Sequence, residues 1–88
     1  YPVLSALSAK WISGKGLKGV GFDAISADPV DSASNDIHKI LFSGGLVIIE
    51  NLRDLDKLGE KTFCMAALPL SLEDQDGGPA RVMAVLEK

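Results

Sequence analysis

The sequence predicts a small α/β domain. Three observations carry this: helix-spaced apolar residues near the amino terminus, two short apolar strands flanking a second helical segment, and two strand-like runs toward the carboxyl end. Taken in order, Leu4, Leu7, Trp11 and Ile12 fall at i, i+3, i+7 and i+8, the stripe of a helix with one buried face. Ser5 is placed to accept a free first-turn amide, and Ser13-Gly14-Lys15-Gly16 supplies the glycine that commonly ends a helix. Leu17 to Phe22 reads as a short buried strand, thin enough at its glycines for another backbone to approach closely, with Asp23 at its carboxyl end. Ala24 to Asp36 is polar and about as long as an unstructured connection in a compact domain usually gets. Asn35 or Asp36 is the expected cap of a helix from Ile37 to Ser43, which Gly44-Gly45 ends before the strand Leu46 to Ile49. Glu50 follows at once. Leu52, Leu55 and Leu58 suggest a helical turn or two, and Thr62 to Leu70 and Pro79 to Leu86 read as a hairpin joined through Glu73 to Gly78.

With 88 residues there is material for one domain, spanning 1–88, and a multidomain enzyme is excluded. A hydrophobic share of 47% against 24% charged residues is ordinary globular composition, which excludes disorder and fibrous repeats. A chain this short buries a limited fraction of its surface, so an oligomer or a missing piece is expected. The net charge of −3, with no basic cluster interleaved with aromatics, argues against nucleic acid. The longest apolar runs, Gly45 to Ile49 and Phe63 to Leu70, fall well short of the roughly eighteen residues of a membrane-spanning helix, so no membrane partner is expected. One cysteine, Cys64, excludes an internal disulfide and fits a reducing compartment, the cytoplasm by default. The start at Tyr1-Pro2-Val3, without methionine or signal segment, fits a fragment.

Gly14-Lys15-Gly16-Leu17-Lys18-Gly19 has the glycine spacing of dinucleotide-binding loops, but here the glycines follow a helix and enter a strand, so no helix amino terminus faces a ligand. A helix stop with a tight turn is the better reading. His38 is the lone histidine, a residue more often structural than catalytic. Its surroundings are suggestive: a helix from His38 to Ser43 rises about 8 Å and the strand from Leu46 returns about 13 Å, which brings Glu50 level with the imidazole. Imidazole and carboxylate facing one pocket are half of a hydrolytic metal site, which needs three or more such ligands. Asp23 is either a turn residue or a polar wall of that pocket, and Ser26 and Asp28 share the ambiguity, with turn chemistry the safer reading. A triad of Ser26, His38 and Asp23 lacks a Gly-x-Ser-x-Gly elbow. Cys64, inside an apolar strand, reads as a small structural hydrophobe.

Several segments taken together resemble a known family. These are Leu4-Ser5 with Trp11-Ile12, then Gly16-Leu17-Lys18-Gly19-Val20-Gly21-Phe22-Asp23, then His38-Lys-Ile-Leu-Phe-Ser-Gly-Gly-Leu-Val-Ile-Ile-Glu50-Asn51-Leu52, and finally Ala67-Leu-Pro-Leu70 with Asp76-Gly-Gly-Pro-Ala-Arg81. In that order they resemble the carboxyl-terminal half of the cyclase family of metal-dependent hydrolases, which includes bacterial kynurenine formamidase and isatin hydrolase. The resemblance implies a swivelling β/β/α fold with a mixed sheet, incomplete here, and a dimer or larger homo-oligomer. It implies amide or cyclic-amide hydrolysis of a small molecule by a divalent metal, zinc or manganese, with His38 and Glu50 as metal ligands. The family's remaining ligands come from an earlier His-x-x-x-His-x-Asp motif, and a further downstream histidine moves protons. This chain has no second histidine. Alone it is therefore expected to be inactive and to need the missing amino-terminal half. The rival expectation is a non-catalytic oligomeric or small-molecule-binding module on the same scaffold.

Overall fold

The computed structural model describes residues 1–60, 62–69 and 77–86. The chain divides into two compact units, Tyr1–Arg53 and Asp54–Lys88.

The first unit holds two helices and a pair of parallel strands. Helix α1 runs Ala6–Ser13 and helix α2 runs Asp36–Ser43, while β1 is Gly19–Gly21 and β2 is Val47–Ile49. The Ser5 hydroxyl accepts from the Ser8 amide at 3.1 Å, so α1 starts where its serine predicts, and Gly14 ends it. The strands pair in the register Gly19↔Val47, Val20↔Ile48 and Gly21↔Ile49, and α2 lies on the crossover between them. Both strands are shorter than the apolar runs that announce them. The pairing continues past their ends, with Val47 N donating to Lys18 O at 3.0 Å and Phe22 N to Ile49 O at 2.9 Å. A Cβ on Gly19 would stand 2.8 Å from the Val47 carbonyl oxygen, so the strand glycine does serve close backbone approach. Gly44 plays the same part between the helices: a Cβ there would meet Ser13 at 2.6 Å.

The core consists of Ala9, Ala27, Ile37, Leu41 and Leu46, with Leu4, Ile12, Val20, Phe22, Ile40 and Ile48 packed partly against it. This corrects the expected buried face of α1. Leu4 and Ile12 turn inward with Ala9, but Leu7 is 79% exposed and Trp11 66% exposed. The helices approach too closely at Ser13 and Gly44 for a large side chain between them, so the small Ala9 takes the buried position. Leu7, Ser8 and Trp11 line an open groove of about 440 Å³ that the partly buried Ile12 also borders, and Lys15 Nζ sits 4.2 Å from the Trp11 ring centroid.

The long connection after β1 forms no regular element between Asp23 and Asn35, as expected. It is not a surface loop throughout, because Ala27 and Asp28 are buried in it.

In the second unit a 3₁₀ turn at Leu55–Leu58 precedes β3 (Cys64–Pro69) and β4 (Ala80–Val85). The strands form the expected antiparallel hairpin, with Cys64 opposite Val85 and Pro69 opposite Ala80. Leu70 and most of the connection from Glu73 to Gly78 lie outside the described residues. Cys64 differs from expectation: it is a free, exposed thiol at the start of β3 and not a packed hydrophobe. All six β3 residues are exposed, because a two-stranded ribbon offers no second layer to bury them.

Candidate functional site

Three side chains from one stretch of the first unit meet at the start of α2. His38 lies in the first turn of that helix, Glu50 directly follows β2, and Asp28 comes from the buried part of the long connection. The rise and return of helix and strand do bring Glu50 level with His38: Nε2 and Glu50 Oε2 are 2.9 Å apart. On the other side of the ring, Nδ1 is 2.7 Å from Asp28 Oδ2.

Asp28 owes its place to the backbone of α2. The first amides of a helix lack intrahelical acceptors and usually receive one from the N-cap side chain. Asn35, at that position, adopts a left-handed conformation (φ 53°) and its side chain caps nothing. Neither Asn35 nor Asp36 therefore does what the sequence suggests. Asp28 supplies the cap from a distance: Ile37 N donates to Oδ1 at 2.8 Å and His38 N donates to Oδ2 at 2.9 Å. Its negative charge also suits the positive end of the helix dipole. Burial alone would raise the Asp28 carboxyl, but hydrogen bonds from the His38 and Ile37 amides, the contact with the His38 ring and the charge of that ring outweigh it. The group is held below its ordinary value of 3.8 and remains a carboxylate.

Glu50 is anchored by the amide of Ala27, which donates to Oε2 at 2.9 Å. Ser26 Oγ accepts from the Asp28 amide at 3.1 Å, which closes the turn that presents both residues. Asp23 is exposed and is absent from the described hydrogen bonds of the cluster. The structure therefore brings together His38 and Glu50, places Ser26 one contact behind them, and leaves Asp23 out. A Ser26-His38-Asp23 triad does not form, since both ring nitrogens face other groups.

The arrangement makes a definite chemical demand. A neutral imidazole carries one ring proton, yet its two nitrogens face two carboxylates. One contact is left to be bridged by a second proton or by a cation. An imidazole nitrogen beside a carboxylate oxygen is a donor pair that divalent zinc, manganese and iron accept, so the residues fit such an ion. Two donors are only part of a coordination shell. Among the described residues no group of three or more His, Cys, Asp or Glu side chains could hold a metal. Also among them, no helix is long and apolar enough to cross a membrane.

Sequence reasoning placed His38 and Glu50 together and weighed Asp28 as a possible wall of their pocket, but preferred turn chemistry for it. No local pattern marks Asp28, because its acceptor contacts reach residues nine and ten positions further on.

No family model matches the chain. Individual proteins do. The kynurenine formamidases of Bacillus cereus (strain ATCC 10987 / NRS 248) and Bacillus thuringiensis (strain Al Hakam) are each 39% identical over 82 residues, which is 93% of this chain and 39% of theirs. The chain is homologous to the kynurenine formamidases along nearly its whole length. The same holds in three dimensions. A solved structure described as a potential metal-dependent hydrolase with cyclase activity superimposes with a TM-score of 0.85 at 36% identity, covering 96% of this chain and 41% of that one. A predicted metal-dependent hydrolase from Bacillus stearothermophilus gives 0.83 at 36% identity, covering 96% and 40%. The resemblance to the cyclase family and the α/β fold it implied are thus borne out. The chain spans about two-fifths of the length of the kynurenine formamidases it matches.

Proposed function

We propose that this chain is the carboxyl-terminal part of a metal-dependent amide or cyclic-amide hydrolase of the kynurenine formamidase kind, and that His38 and Glu50 are two of its metal ligands. The observation that carries this reading is the 2.9 Å approach of His38 Nε2 to Glu50 Oε2, made across an intervening helix and strand and supported behind each residue by further hydrogen bonds. When bound, a zinc or manganese ion supplies Lewis-acid polarisation of a carbonyl and lowers the pKa of water. This chain's part is to hold an imidazole nitrogen and a carboxylate oxygen side by side, the latter fixed by the Ala27 amide. The other ligands and the proton-transfer group belong to the remainder of the longer protein, of which residues 1–88 form a single domain or part of one. Its substrate is a small-molecule amide, its working form a homo-oligomer, and a reducing compartment such as the cytoplasm suits the one cysteine of residues 1–88.

The test uses the longer protein, or this chain complemented by the amino-terminal part. Metal-dependent hydrolysis of an aryl formamide or cyclic amide is expected, with bound metal measured per chain. His38→Ala and Glu50→Gln should each lower activity by more than about 100-fold and reduce the bound metal. Full metal content and full hydrolysis in both variants would refute the assignment. A stable oligomer that binds no metal would move the chain to the non-catalytic reading.

A further inference from the structure

We infer that Asp28 is a positioning residue for His38: its carboxylate fixes the ring as the Nδ1–H tautomer and turns the unprotonated Nε2 toward Glu50. The inference deepens the reading of His38 and Glu50 as metal ligands and rests on it for its functional meaning.

The argument is geometric. Asp28 Oδ2 accepts from the His38 amide at 2.9 Å and lies 2.7 Å from Nδ1 of the same residue, so the histidine is met at its backbone and at its ring. Oδ1 is bound to the Ile37 amide at 2.8 Å, which stops the carboxylate from rotating away. Asp28 is itself held at both ends: its amide donates to Ser26 Oγ at 3.1 Å, and its carbonyl accepts from Tyr1 Oη at 2.8 Å. The residue is 2% exposed.

Two tautomers compete. If Nε2 carried the proton, Nδ1 would present a lone pair to a carboxylate 2.7 Å away, a repulsion that immobile, buried Asp28 cannot relieve. If Nδ1 carries it, the unprotonated Nε2 faces Glu50 Oε2, which one amide anchors but whose side chain is 29% exposed, so water or a shared cation can reach that contact. The rigid partner therefore sets the proton. A histidine that donates its second nitrogen to a carboxylate is also the arrangement that orients metal-bound imidazoles and strengthens them as ligands.

The experiment is nitrogen-15 NMR of the imidazole, recorded over a rising pH series until the ring signals stop changing, where the spectrum reports the neutral tautomer. One histidine in the chain makes the signal unambiguous. Nδ1–H is expected in the unmodified chain. Asp28→Asn keeps a carbonyl oxygen for the Ile37 amide and can present its amide N–H to Nδ1 in place of Oδ2, and a shift toward Nε2–H is expected. Glu50→Gln should leave Nδ1–H in place. A predominantly Nε2–H ring in the unmodified chain would overturn the inference, whether or not Asp28→Asn folds. So would an unchanged tautomer in folded Asp28→Asn, or a reversal in Glu50→Gln. In the longer protein, Asp28→Asn is expected to weaken zinc affinity by about 10- to 100-fold. If the ring is Nδ1–H and the unmodified longer protein binds no zinc, the ligand reading fails while the positioning role of Asp28 stands.

Discussion

Helices α1 and α2 have eight residues each, and both end at a glycine, yet they begin in opposite ways. The first is capped by its own Ser5, three residues from the amide it serves. The second leaves its N-cap residue idle in a left-handed turn and takes its cap from Asp28, seven positions before that residue. A local cap does one job, closing a helix. A remote cap ties the helix start to another part of the chain, and here the same carboxylate also reaches the imidazole that the helix carries. Their buried faces differ as well, since α2 buries Ile37 and Leu41 while α1 buries Ala9 and leaves Leu7 and Trp11 in solvent. The cluster at α2 is thus supported by the core of its unit, whereas the amino-terminal helix holds its position with few large buried side chains.

The contrast can be broken most severely at Asp28. Asp28→Ala removes an acceptor from two helix amides and strands the imidazole, and is expected to destabilise the chain by about 3–5 kcal/mol, read as a lowered urea midpoint. Acid tests the same contact more gently, because a protonated carboxyl still offers a carbonyl oxygen. The folded-state pKa of Asp28 lies below its ordinary 3.8. Its stabilising contribution is therefore present above that value and is lost as pH falls through the lower, folded one. An acid-unfolding curve of metal-free protein should show this loss, and Asp28→Asn should flatten that part of it. At α1, Ser5→Ala should cost about 1 kcal/mol by the same urea measurement. A Ser5→Ala effect equal to that of Asp28→Ala would erase the distinction between local and remote capping. Leu7→Ser is expected to change stability by no more than about 0.5 kcal/mol, because the side chain is mostly in water already.

How much was legible follows the same division. The Ser5 cap, the glycine stops, the hairpin and the level meeting of His38 with Glu50 all depend on spacing within a single element or across one helix and one strand, and the sequence states such spacings directly. The role of Asp28 does not, since nothing near it in the chain distinguishes a carboxylate in a turn from one that caps a helix further on. Asn35 and Asp36 were the obvious caps by type, and backbone conformation disqualified Asn35. The apolar stripe of α1 misled for a different reason: hydrophobicity points to Leu7 and Trp11, but the tight approach of Ser13 to Gly44 selects a small residue, Ala9, for the interior. Cys64 was read from the apolar run around it, which does not reveal whether a second layer covers the hairpin.

The cluster also has a compact arrangement in sequence. Asp28 meets His38 ten residues on, His38 meets Glu50 after twelve, and the longest of these links, from Ala27 to Glu50, spans 23. Closing such short loops costs little conformational entropy, and contacts of low sequence separation form early when a chain folds. The site should therefore assemble and open as one cooperative segment. Its signature is a common rate of hydrogen exchange for the amides of Ala27, Ile37 and His38, the three backbone donors bound to its carboxylates.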